Sequence, residues 1–152
     1  MFWIDFLIFL FACMAAGLTG SLSPPGKWYS DLNKPRWTPP NWIFPVAWPI
    51  LYILMSYSGA TLANLESSGS ALALWALQIA INTLWTPVFF GLKNIKLGLI
   101  IILLLLVSVL ISTCVFWLYS SLAGVLFLPY LAWVAFAAIL NAAVFRLNKF
   151  PI

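Results

Sequence analysis

A chain of 152 residues that is 64% hydrophobic and only 7% charged, with mean hydropathy +1.07, has far too little polar surface to fold in water, where roughly 25% of residues carry charge. A bilayer solvates such a chain directly, so a soluble enzyme is excluded. Its net charge of +4 comes from seven basic and three acidic residues with no histidine, which removes imidazole from general-base, metal and haem chemistry; no metal, cofactor or nucleic-acid partner is expected.

Crossing a hydrocarbon core of ~30 Å takes about 20 mainly apolar residues, and five segments qualify, at 2–22, 42–64, 71–90, 97–119 and 124–145. The sequence therefore predicts an all-α integral membrane protein, one five-helix domain over 1–152. The first segment is longer than the apolar run of a signal peptide, carries Asp5 where a positive region belongs, and is followed by Pro24 and Pro25, so it is read as a retained helix. Ala12, Ala16 and Gly20 give it a small-residue face, which in lipid allows close helix approach. The loop at 23–41 combines five prolines with Trp28, Tyr29 and Trp37, and this density of stiff and aromatic residues predicts an ordered lid laid on the bundle.

In the second span Trp48 and Tyr52 are four apart and share a face, with Pro45 and Pro49 expected to loosen the backbone around them. In the third, Gln78, Asn82 and Trp85 form one stripe. Amides at that depth need partners, either another helix, at ~0.6–2 kcal/mol per hydrogen bond, or a bound ligand that they orient. Ala76 and Ala80 of the same span, like the small face of the first, mark a candidate homodimer contact. Cys13 and Cys114 are isolated, without CxxC spacing, and are read as small apolar packing residues. In the fifth span Trp133 and Ala137 are four apart with Asn141 one turn on, and the small Ala137 leaves room for a flat ligand.

All seven cations fall on one side of a five-span chain: Lys27, Lys34 and Arg36 in the lid, Lys93 and Lys96 in the third loop, and Arg146 and Lys149 at the end. Asp5 and Glu66 lie on the other side. In a bacterial cell membrane this places the N-terminus outside and the C-terminus in the cytoplasm. Short connectors after the second, third and fourth spans predict that consecutive helices pack as antiparallel neighbours. Of the nine tryptophans, Trp3, Trp42, Trp117 and Trp75 fit an interfacial belt, whereas Trp48, Trp85 and Trp133 lie within spans and suit a cavity wall. Asp5, Asp31 and Glu66 are too scattered for a paired-carboxylate site.

The runs WYSDLNKPRWTPP at 28–40, PVAW at 45–48, NTLWTPVFFG at 82–91 and PYLAW at 129–133 closely resemble the TspO/MBR family, the tryptophan-rich sensory proteins of bacteria and the mitochondrial translocator protein. The resemblance implies a five-helix bundle, usually dimeric, with a pocket beneath the first loop for porphyrins such as protoporphyrin IX, for synthetic benzodiazepine-site ligands and, in animals, for cholesterol. By matched position it implies a site of Tyr29, Trp37, Trp48, Tyr52, Asn82, Trp85, Trp133 and Ala137. Some bacterial relatives are reported to break down protoporphyrin IX in light, and Trp48 and Trp133 match the tryptophans implicated, which makes them the candidate catalytic pair. The animal cholesterol motif is broken, with Ala142 where its tyrosine belongs, so specific cholesterol recognition is not expected.

A porphyrin also suits the residues themselves. Its π-face stacks on indole and phenol rings, its propionates would face Lys27, Lys34 and Arg36, and without histidine a metal-free macrocycle is preferred to haem. The function expected is a membrane receptor or sensor regulating tetrapyrrole metabolism. Two alternatives stand beside it: a light- and oxygen-dependent porphyrin-degrading enzyme, and a porphyrin transporter, the latter weakened because no charged residue lies deep in any span.

Overall fold

A computed structural model describes residues 1–149; residues 150–152 of the expected domain lie outside the described residues. The chain forms α1 (Phe2–Leu22), a short α2 (Lys27–Asp31) within the lid, α3 (Ile43–Ala63), α4 (Gly69–Thr86) continued by a π-helical turn (Pro87–Gly91), α5 (Ile95–Tyr119) and α6 (Ser121–Asn148). The five long helices are each long and apolar enough to cross a membrane, and the protein is a multi-pass membrane bundle.

The helix ends have local causes. Asn94 caps α5, its Oδ1 accepting the Leu97 amide at 2.9 Å. Only Ser120, in an extended conformation, separates α5 from α6, and its hydroxyl accepts the Ala123 amide at 3.4 Å. That single-residue corner starts the fifth span three residues before the expected 124, and α6 then runs on past 145 to Asn148. At ~1.5 Å per residue the 28 residues of α6 span about 42 Å, more than a hydrocarbon core of ~30 Å. Its last turn meets the lid through Asn148.

The proline effects differ from expectation. Pro45 sits in the first turn of α3, where no intrahelical donor is needed, and α3 runs unbroken through Pro49. The real departure is at Pro87, which cannot donate to Thr83 and crowds its carbonyl. The helix widens there into the π-turn, with the Leu92 amide reaching the Pro87 carbonyl at 2.9 Å.

Around the bundle the order is α1, α3, α6, α5, α4 and back to α1. Consecutive spans are neighbours as expected, except that the second and third touch only slightly, because α3 is set against α1 and α6 while α4 is set against α1 and α5. The α1–α3 contact is close. A Cβ added at Gly59 would lie 2.8 Å from the Phe9 ring, and one at Gly17 would lie 2.9 Å from Tyr52.

The half of the bundle remote from the lid is filled. Met55, Leu62, Phe116 and Phe127 are fully buried, and Ser58 ties α3 to α6 by donating to the Ala123 carbonyl at 3.0 Å. Trp75 belongs here and not to an interfacial belt. It is 3% exposed, and its Nε1 donates to the Met55 carbonyl at 3.0 Å, which satisfies the indole N–H inside the bundle. Trp3, Trp42 and Trp117 are exposed, as a belt requires. Cys13 is a buried packing residue, whereas Cys114 is exposed on the outer surface of α5 and packs nothing inside.

Candidate ligand-binding site

In the lid half the bundle does not close. A cavity of about 570 Å³ lies between α1, α3, α4 and α6, roofed by the lid. Its wall on α3 is Phe44, Trp48 and Tyr52, and that on α6 is Trp133, Ala137 and Asn141. Asn82 and Trp85 come from α4, Phe89 and Phe90 from the π-turn, and Gly17 and Gly20 from α1. None of the described residues lining it is charged.

The aromatic rings around the cavity meet mostly edge to face. Trp48 lies 5.4 Å from Tyr52 at 40° and 6.5 Å from Trp133 at 81°, and Phe44 lies 5.8 Å from Trp133. Trp85 is the exception, stacked on Phe89 at 5.1 Å and 19°. These arrangements are the ones that ring quadrupoles favour. Trp85 and Phe89 are four apart and so share a helix face, and Phe90, next in the π-turn, lies 5.3 Å from Tyr29.

Amides hold the indoles and face the space between them. Asn82 Nδ2 donates to the Tyr130 hydroxyl at 2.9 Å, linking α4 to α6, and the same residue lines the cavity. Trp85 Nε1 donates to Asn141 Oδ1 at 3.2 Å, and Asn141 Nδ2 donates to the Ile95 carbonyl at 3.3 Å. Asn82 thus makes the interhelical bond and also stands on the cavity wall. Gln78 lies outside the cavity, wholly buried.

The lid is held from both ends. Tyr29 packs on the π-turn, and its burial pushes its phenol pKa up. Asn148 at the end of α6 grips the other side, its Oδ1 accepting the Asn33 amide at 3.1 Å and its Nδ2 donating to the Asn33 carbonyl at 2.9 Å.

Seven of the eight expected site residues share this cavity: Tyr29, Trp48, Tyr52, Asn82, Trp85, Trp133 and Ala137. Trp37 does not. It is 48% exposed, packs edge-on against Phe136 at 5.9 Å, and lines a separate outward-facing groove with Pro35, Ala142 and Arg146. The prolines that flank it turn the chain outward across α6 before Asn41 returns to the cavity rim.

The expected cationic mouth also needs correction. Lys34 Nζ donates to the Tyr29, Ser30 and Leu32 carbonyls and lies 4.6 Å from the centre of the Tyr29 ring. With its three protons so engaged, Lys34 caps α2 and does not face a ligand. Lys27 and Arg36 are exposed and are not on the cavity wall. Phe44, Phe89 and Phe90 were missed, although the last two sit inside a quoted motif. Asn141, one turn beyond Ala137, joins the site as well. Gly20, part of the small-residue face of α1, also lines the cavity, and a Cβ there would meet nothing within 4 Å in the same copy.

An uncharged aromatic chamber with a few fixed amides can bind and orient a flat apolar molecule. Among the described residues its lining offers no carboxylate or cation for acid–base chemistry. Residues 8–147, which include the lid and nearly all of the five spans, match the model of the TspO/MBR family. The chain belongs to the TspO/MBR family. It is 49% identical over 148 residues to the tryptophan-rich sensory protein of Cereibacter sphaeroides, covering 97% of this chain and 94% of that one. Protein CrtK of Rhodobacter capsulatus is likewise 49% identical over 147 residues, covering 94% and 92%. The human translocator protein is 35% identical over 155 residues, covering 96% and 91%. A TspO/MBR fold thus accounts for the helices and for the lid that together enclose the cavity.

Proposed function

We propose that this TspO/MBR protein is a membrane receptor or sensor whose ligand is a metal-free porphyrin of the protoporphyrin IX type, taken up in the cavity under the lid and coupled to tetrapyrrole metabolism. The observation that carries the reading is the uncharged chamber of about 570 Å³ bounded by Trp48, Trp133, Tyr52 and Trp85. Its volume is within the ~300–1,000 Å³ of small-molecule sites, and its walls present ring faces and edges to a macrocycle. The names of its relatives, a tryptophan-rich sensory protein and a translocator protein, support a sensing role. Propionates would leave the apolar chamber toward the lid side, where Lys27 and Arg36 are exposed. The test is a protoporphyrin IX titration followed by absorbance and tryptophan quenching, with saturable one-site binding expected and none for a macrocycle too bulky to enter.

A light- and oxygen-dependent breakdown of the porphyrin is favoured by one observation, the Trp48 and Trp133 indoles meeting at 6.5 Å on the cavity wall. Product analysis of illuminated and dark samples, with and without oxygen, distinguishes it from binding alone. We further propose a homodimer. α1 buries only Cys13 and Ala16 against its own bundle, and Ala76 and Ala80 are exposed on α4, so small and apolar faces are available to a second copy. The cations at the lid end favour a cytoplasmic lid and C-terminus.

A further inference from the structure

Buried hydroxyls in this bundle find carbonyls. Ser56 donates to Tyr52 at 2.6 Å, Ser58 to Ala123 at 3.0 Å, Ser112 to Ser108 at 2.8 Å and Thr113 to Val109 at 2.8 Å. Three buried side-chain atoms among the described residues have no partner: Ser108 Oγ and both amide atoms of Gln78. Gln78 is 0% exposed and Ser108 6%. Orphaned polar atoms inside a membrane bundle are costly, and native structures seldom keep them without a reason.

The residues that carry these atoms lie on neighbouring helices at similar depth. Gln78 is on α4 and Ser108 on α5, which pack against each other. The Phe89 ring lies against Gly98. Gln78 is eleven residues before Phe89 and Ser108 ten after Gly98, so two antiparallel helices rising ~1.5 Å per residue bring them to nearly the same depth. The Ser70 and Tyr119 hydroxyls, 2.9 Å apart, tie the same two helices together at their other end. Both residues lie close to the middle of their spans. They make no direct bond, yet between them they offer a carbonyl oxygen, two N–H donors and a hydroxyl that can donate or accept.

A buried water takes two to four such partners. We propose that Gln78 and Ser108 hold a buried water molecule between α4 and α5 at the centre of the membrane-spanning bundle. The site lies one helical turn from Asn82, behind the cavity wall. It replaces a direct amide–hydroxyl bond between the two helices by a bridged one, and so leaves α4 free to follow the cavity without stranding its amide in hydrocarbon.

Gln78 is the only glutamine in the chain, so glutamine-selective labelling of the side-chain nitrogen gives one signal without further assignment. The experiment is water-edited solid-state NMR of the full chain in lipid bilayers. The expected result is magnetisation transfer from water to the Gln78 amide, reduced at least twofold in Ser108→Ala. A wild-type signal that receives nothing from water, as a direct Gln78–Ser108 bond or dry packing would give, overturns the proposal. So does transfer that Ser108→Ala leaves unchanged, because the water would then not be shared.

Discussion

The two halves of the bundle use the same kinds of residue to opposite ends. Away from the lid, Trp75 fills space between α1, α3 and α4, its N–H is taken by a backbone carbonyl, and the Phe9 ring closes on it at 4.5 Å. Toward the lid, Trp48 and Trp133 meet at 6.5 Å and border open volume, and the Trp85 N–H is spent on a side chain, Asn141. A tryptophan within a span is therefore neither a core residue nor a ligand residue by type. What stands opposite the ring decides, packed side chains and a backbone carbonyl for Trp75 and open volume bordered by Ala137 and Gly20 for Trp48 and Trp133.

The largest effect that sharpens this contrast is expected at Trp75. Trp75→Ala removes a fully packed indole, at a cost of about 3–5 kcal/mol. Thermal unfolding in detergent should record a large fall in midpoint, with porphyrin affinity little changed in whatever fraction stays folded. Trp48→Ala borders empty volume on one side and should cost far less stability, so equal losses at the two positions would break the comparison.

Ala137→Leu comes next. It fills cavity and leaves the fold intact, so porphyrin affinity should fall about tenfold or more, near 1.4 kcal/mol, with the unfolding midpoint unchanged or raised as the added methyl groups occupy empty space. A lowered midpoint with normal binding would mean that Ala137 is core and not wall.

A smaller effect separates the lid's cations. Lys34→Met uncaps α2 and should weaken charged and uncharged ligands alike, by about threefold, since its ammonium holds backbone carbonyls. Neutralising Lys27 and Arg36 together should weaken protoporphyrin IX more than its uncharged dimethyl ester, and added salt should mimic that loss because exposed charges are screened. Competition titrations at two salt concentrations read both.

The smallest effect concerns assembly. Ala76→Phe or Ala80→Phe on the exposed face of α4 should shift detergent-solubilised protein toward monomer with little effect on the midpoint, as measured by light scattering. An unchanged mass for both variants would remove this face as the dimer contact.

Much of this was legible from residue order. Hydropathy and charge asymmetry locate all five spans, because a bilayer imposes length and polarity limits that each helix meets alone. Helical spacing likewise puts Trp48 with Tyr52 and Trp133 with Ala137. What was not legible depends on neighbours. Trp75 looks interfacial until the Met55 carbonyl is found beside it. Lys34 looks ligand-facing until α2 forms and the carbonyls of Tyr29, Ser30 and Leu32 gather around its ammonium. Trp37 lies in a motif with Tyr29, but the loop that follows α2 carries it to the outer side of α6, where Phe136 meets it. No periodicity in the sequence encodes such a crossing.

The central claim is that the chamber in the lid half is the porphyrin site. The most direct measurement compares protoporphyrin IX titrations of four single variants, Trp48→Leu, Trp133→Leu, Trp3→Leu and Trp117→Leu, each checked for folding by thermal unfolding. Leucine keeps apolar bulk and removes ring stacking, worth ~0.5–1.5 kcal/mol. Trp48→Leu and Trp133→Leu should each lose roughly two- to twelvefold in affinity, whereas Trp3→Leu and Trp117→Leu, at residues 68% and 47% exposed outside the chamber, should bind like the parent protein. Four folded variants with the same affinity as the parent would contradict the assignment and leave Trp48 and Trp133 as packing residues around an unused space.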